Sequence, residues 1–78
     1  MYNVNLRNSV AIAINGYLEI LDGEIPSGGI YKVVTGEVER ELFSFVFRHC
    51  RENQSLATKV LGISRATFRK KITEFGLI

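Results

Sequence analysis

Arg65, Arg69, Lys70 and Lys71 place four cations within seven residues near the end of the chain, in the run "ISRATFRKKITEFGL". The chemistry open to such a set is recognition of a polyanion: an arginine pairs bidentately with guanine O6 and N7, and further cations meet phosphate oxygens. A solvated helix face carries charge in the same way, so the cluster alone leaves both readings open. Covalent chemistry has no comparable set. His49 and Cys50 are neighbours and point about 100° apart on a helix, which keeps them from acting as a base and nucleophile pair. Cys50 reads as a small core residue and His49 as a solvated or helix-end residue. Glu37, Glu39 and Glu41 have no acid, metal or partner arrangement around them, and "PSGG" lacks the lysine and spacing of a phosphate loop. With one histidine and one cysteine in the chain, no metal or other cofactor is expected, and an enzyme is not expected.

The charge is unevenly distributed. Up to Phe47, Arg7, Lys32 and Arg40 stand against six acidic residues, net −3; from Arg48 onward, seven cations face only Glu52 and Glu74, net +5. That asymmetry fits an anionic partner and a solvated helix face equally well. The start, "MYNVNLRNSV", lacks the basic and apolar regions of a signal peptide, and "VAIAI" is too short to cross a bilayer. A soluble protein of the reducing cytoplasm, with no membrane partner, is expected. A chain of 78 residues buries little apolar surface, and neither disulfide nor metal is there to supplement it, which leaves oligomerisation.

Four helices are predicted to position the basic cluster. Leu6, Val10, Ala13, Ile14, Tyr17, Leu18 and Leu21 recur at three- and four-residue steps from a start near Asn5, with Gly23 and Pro26 as the stop and Ile12 on the polar side. A second helix follows the "PSGG" turn, with Ser27 as a candidate cap, and runs to about Arg51. Ile30, Val34, Val38, Leu42, Val46 and Cys50 follow one another along it. Its stretch "LFSFVF" is apolar nearly all round, which fits either a central core helix or, as this short chain favours, a helix covered by a second copy; a charge at Phe45 is then expected to unfold the chain rather than only part the subunits. Asn53 caps a third helix whose inward face is Leu56, Ala57, Val60 and Leu61, and Gly62 ends it. Ser64 caps a fourth, with Phe68, Ile72 and Phe75 inward and Gly76 at its end, and Leu77 folds back. Two short helices joined through "GIS", with Ile63 inward, make a helix-turn-helix whose second member presents Ser64, Arg65, Ala66 and Thr67 at its leading end.

The run "NQSLATKVLGISRATFRKKITEFGL" resembles the helix-turn-helix of the Fis (factor for inversion stimulation) family of bacterial nucleoid proteins. The likeness continues upstream through "IYKVVTGEVERELF" and more weakly through "LRNSVAIAINGYLEILDG". The motif alone is shared with the C-terminal domains of enhancer-binding activators that work with sigma-54 polymerase; the upstream match favours Fis. The resemblance implies an all-α fold of four helices forming one Fis-like domain over 1–78, with dimerisation helices over 5–51 and the helix-turn-helix over 53–76. It implies a homodimer that binds and bends double-stranded DNA in nucleoid organisation and transcription regulation, with RNA polymerase as a further candidate partner. Carried over by position, Arg65 is the guanine-reading arginine, and Asn53, Ser55, Thr67, Arg69, Lys70 and Lys71 hold the backbone and flanking DNA. Ser64 stands where the family commonly has asparagine, and Glu52 where it has glycine. The chain begins just before the first helix, so the β-hairpin arm that activates invertases, and with it stimulation of inversion, is not carried over. The contrasting reading is an interaction module that docks on polymerase or a recombinase without relying on DNA.

Overall fold

The computed structural model describes residues 5–78, and over these the fold is all-α, with no strand. The elements are α1 (Leu6–Leu21), α2 (Ile30–His49), α3 (Gln54–Leu61) and α4 (Arg65–Glu74). The signal-peptide reading and the start of the 1–78 domain fall partly on residues 1–4, outside the described residues. Among the described residues no helix is long and apolar enough to cross a membrane.

The chain forms two compact units, divided within α2: one ends at Val34 and the other spans Thr35–Ile78. In the first, Asn5 accepts from the backbone N–H of Asn8 and caps α1, and Asp22 closes it in the left-handed conformation, just before the expected Gly23 stop. No residue of α1 is fully buried, and Leu6, Ile12, Leu18 and Ile20 are exposed. Val10, Ile14, Tyr17 and Leu21 of its apolar face are half-buried. α2 starts at Ile30, three residues after Ser27.

The second unit holds the core. Phe43, Phe47 and Cys50 of α2 and its last turn meet Ala57 of α3 and Phe68 and Ile72 of α4, with Val46, Leu61, Ile63, Phe75 and Leu77 packed around them. The Phe68 ring stacks on Phe43 at 5.9 Å between centroids and meets Phe47 edge-on at 5.7 Å, an arrangement favoured by the ring quadrupoles. The buried row of α2 is therefore 43–47–50. Val38 and Leu42, from the row of four-residue steps, are exposed, and so is Phe45 at 61%. Phe45 lies off the face that this unit covers, on the side of "LFSFVF" for which cover from a second copy is expected. Leu56 and Val60, expected inward on α3, are exposed as well. Ala57 and Thr58 take the inward positions, and the Thr58 hydroxyl is satisfied by donating to the Ser55 carbonyl at 2.7 Å.

The junction of α2 and α3 has a particular backbone. The N–H of Arg51 bonds to the Arg48 carbonyl and that of Glu52 to the Phe47 carbonyl, both at 2.9 Å, which is the Schellman closure of a helix. Its left-handed position is normally glycine. Here Arg51 has φ 54 and Glu52 φ 61, two consecutive side chains in the region L-residues avoid. At Glu52 the conformation costs about 1–2 kcal/mol, against about 0.5–1 kcal/mol of extra chain entropy that glycine loses. Glu52→Gly is accordingly expected to stabilise the unit by about 0.5–1 kcal/mol, read as a higher urea midpoint at unchanged slope. A lower midpoint would show that the Glu52 side chain contributes more than its backbone costs.

Candidate nucleic-acid interface

The turn between α3 and α4 is built by two caps and one glycine. Asn53 Oδ1 accepts from the Leu56 N–H at 3.0 Å and starts α3. Gly62, at φ 74, donates to the Thr58 carbonyl at 2.8 Å and ends it; a side chain there would be forced into the left-handed region. Ser64 Oγ accepts from the Thr67 N–H at 3.1 Å and donates to Thr67 Oγ1 at 3.0 Å, starting α4. Ser64 preserves the capping chemistry of an asparagine, since both residue types are strong N-caps. Ile63 is half-buried against the core between them.

With Phe68 and Ile72 fixed inward, the rest of α4 faces out: Arg65, Ala66, Thr67, Arg69 and Lys70 are all exposed. Arg65 Nη2 donates to Ser55 Oγ, bringing two sequence-predicted residues from different helices together. Ser55 itself is exposed on the first turn of α3, one residue after the helix starts. The six side chains Asn53, Ser55, Ser64, Arg65, Thr67 and Lys70 thus lie on the leading turns of α3 and α4 or on the outer face of α4, and none is enclosed by the core. Two of them, Asn53 and Ser64, also have acceptors committed to backbone capping. Arg69 lines a cleft of about 110 Å³ with Gln54, Ile72, Thr73 and Ile78.

Lys71 is placed differently. It is half-buried on the flank of α4, one residue before Ile72, and its ammonium bonds to Glu39 of α2 at 3.1 Å. Glu74 stands 4.0 Å away on the same helix. Beside this pair, Arg40 Nη1 donates to the Phe75 carbonyl at 3.1 Å. Sequence reasoning assigned no role to Glu39 or Arg40 here, and no local signal existed: their partners lie 32 and 35 residues away.

Comparison with known proteins agrees with this architecture. The family described as "Bacterial regulatory protein, Fis family" matches residues 36–75, a range that begins near the start of the second compact unit. The chain is similar to the DNA-binding protein Fis of Glaesserella parasuis, at 40% identity over 72 residues, covering 92% of this chain and 72% of that protein. It is 45% identical over 73 residues to a putative Fis-like DNA-binding protein of Xylella fastidiosa, covering 94% of the chain and 80% of the relative. The DNA-binding protein Fis of Pasteurella multocida matches at 40% over 75 residues, 96% of the chain and 75% of the relative.

Proposed function

The chain belongs to the Fis family of bacterial regulatory proteins, and on that premise we propose that it acts as a homodimer that binds and bends duplex DNA through its helix-turn-helix. The single observation that carries the reading is α4: a short helix anchored on one side by Phe68 and Ile72, with Arg65 at its leading end and Arg69 and Lys70 further along its exposed surface. Such a helix enters the major groove N-terminus first, and its arginine is then within reach of base edges. Asn53, Ser55, Ser64 and Thr67 supply short polar groups near the backbone on either side, and Arg69 and Lys70 neutralise phosphate. Ser55 holds the Arg65 guanidinium in the free protein and releases it to guanine on binding. No catalytic role is assigned, and association with the nucleoid follows from DNA binding.

A homodimer is favoured by the apolar residues each unit leaves uncovered: Leu6, Ile12 and Leu18 on α1, and Val38, Leu42 and Phe45 on α2. Two recognition helices held close by a shared core reach successive major grooves, about 34–36 Å apart, only if the DNA bends toward the protein and its central minor groove narrows. The bend costs on the order of 1–6 kcal/mol and is least for A/T-rich centres.

Gel mobility on circularly permuted fragments tests the proposal. At low salt even random duplex should shift, and a selected site should migrate according to its position in the fragment. Arg65→Ala should cost about 1–3 kcal/mol on the selected site and less on random duplex. Lys70→Ala should weaken both alike and reduce the salt slope by about 0.9. Absence of any shift at low salt overturns DNA binding; mobility independent of position overturns the bend.

A further inference from the structure

We infer that Glu39, Arg40, Lys71 and Phe75 form a clamp that sets the angle of α4 against α2, making Lys71 a positioning residue rather than a phosphate contact. Glu39 and Arg40 are consecutive on α2, and both reach the last turn of α4. Glu39 takes the Lys71 ammonium at 3.1 Å. Arg40 takes the Phe75 carbonyl at 3.1 Å, placing a cation at the negative end of α4, and its guanidinium carbon stands 5.4 Å over the Phe75 ring. Lys71 lies 5.9 Å from the centroid of the same ring, and Phe75 packs edge-on against Phe43 at 5.8 Å. The hydrophobic core fixes α4 near Phe68 and Ile72, two residues on one stripe, and a helix held along one stripe can still roll and swing. The four-residue clamp removes that freedom at the end opposite the turn.

The consequence rests on the proposed DNA-binding dimer. If α2 belongs to the shared core of two copies, the pose of α4 on α2 sets the separation of the two recognition helices and therefore the half-site spacing the dimer accepts. A clamp made of a negative and a positive residue also predicts an effect opposite in sign to plain electrostatics. Removing Glu39 takes a negative charge away from a DNA-binding surface and would ordinarily tighten binding; here it frees α4 and weakens binding to a correctly spaced site.

The test uses the full chain and three duplexes: one selected by the wild type from a randomised pool, the same duplex with two base pairs inserted between half-sites, and a random duplex. Glu39→Gln, Arg40→Gln and Lys71→Gln should each lose about three- to tenfold in affinity for the selected duplex, the lower part of the coupling seen for side chains in direct contact. They should discriminate less against the respaced duplex, stay within about twofold of wild type on the random one, and leave its salt slope unchanged, since a phosphate contact would remove about 0.9 from it. The exchanged pair Glu39→Lys with Lys71→Glu should restore the spacing preference. All of these side chains lie outside the buried core, so the variants retain the Phe43–Phe68 packing. Tighter binding by Glu39→Gln on every duplex, a lower salt slope in Lys71→Gln, or an exchanged pair that leaves the preference lost would each overturn the clamp while the DNA reading stands. A wild-type chain that shifts no duplex overturns both.

Discussion

Phe68→Ala is expected to lower the melting temperature of the helix-turn-helix by about 12–40 °C. Phe68 is wholly buried, and its ring supports both Phe43 and Phe47, the two aromatic anchors of α2. Truncating a buried phenylalanine costs about 3–5 kcal/mol, because the transfer free energy is lost and the cavity closes only in part. A chain of 78 residues has a total stability of about 4–12 kcal/mol at the usual value per residue. The loss is therefore between a quarter and all of it, and for a domain of this size each kcal/mol lowers the melting temperature by about 4–8 °C. Far-UV circular dichroism during heating reads the effect directly. Leu56→Ala and Val60→Ala are the controls: both side chains are exposed on α3, and each change should stay within about 0.5 kcal/mol of wild type. A melting temperature for Phe68→Ala equal to that of the controls would mean that α4 is not held by this core.

Those same controls mark where the sequence was legible and where it was not. The ends of α3 and α4 were legible because they are local chemistry: Asn53, Gly62 and Ser64 act within four residues of themselves, and each sits in the conformation its type favours. Phe68 and Ile72 were legible because they are the only large apolar residues on a helix otherwise made of Arg, Lys, Thr, Glu and Ala, and Phe75 because it follows at the C-cap on the same side. α3 offered no such contrast. Leu56, Ala57, Val60 and Leu61 are all apolar, and periodicity could not show that two small residues, Ala57 and Thr58, would face inward while two larger ones stayed out. Close approach of helices favours the small ones. On α2 the apolar residues ran round the helix, so the choice of the 43–47–50 row over the row through Val38 and Leu42 depended on where α3 and α4 dock. The clamp lay further still beyond local pattern: Lys71 reads as one more cation of a basic cluster until its distance to Glu39 is known. The left-handed pair at Arg51 and Glu52 was half legible. Fis-family resemblance marked Glu52 as standing in a glycine position, and φ 61 supplies the physical reason.

If the chain forms the proposed dimer, Phe45→Asp is expected to convert it into a folded monomer of 8.8 kDa. Phe45 is 61% exposed in the single chain while its neighbours Phe43 and Phe47 are buried, so α2 presents one covered and one open face. If a second copy covers the open face, burial of each Phe45 is worth up to about 1.5–3 kcal/mol, and twofold symmetry makes the substitution count twice. The lost burial alone comes to about 3–6 kcal/mol, or two to four powers of ten in the dimer constant. A carboxylate forced into an apolar interface adds a desolvation penalty in the same direction. Within one chain the change is mild. Arg48, whose guanidinium carbon now stands 5.1 Å over the Phe45 ring, is positioned to pair with the new carboxylate on the helix surface. Sedimentation at micromolar concentration should therefore show a shift from dimer to monomer with the helical signal of the Thr35–Ile78 unit retained. Affinity for the selected duplex should fall steeply, because one recognition helix reads only one half-site. A variant that remains a dimer would remove Phe45 from the interface, and one that loses its helical signal altogether would return α2 to the status of a helix that cannot stand without its partner.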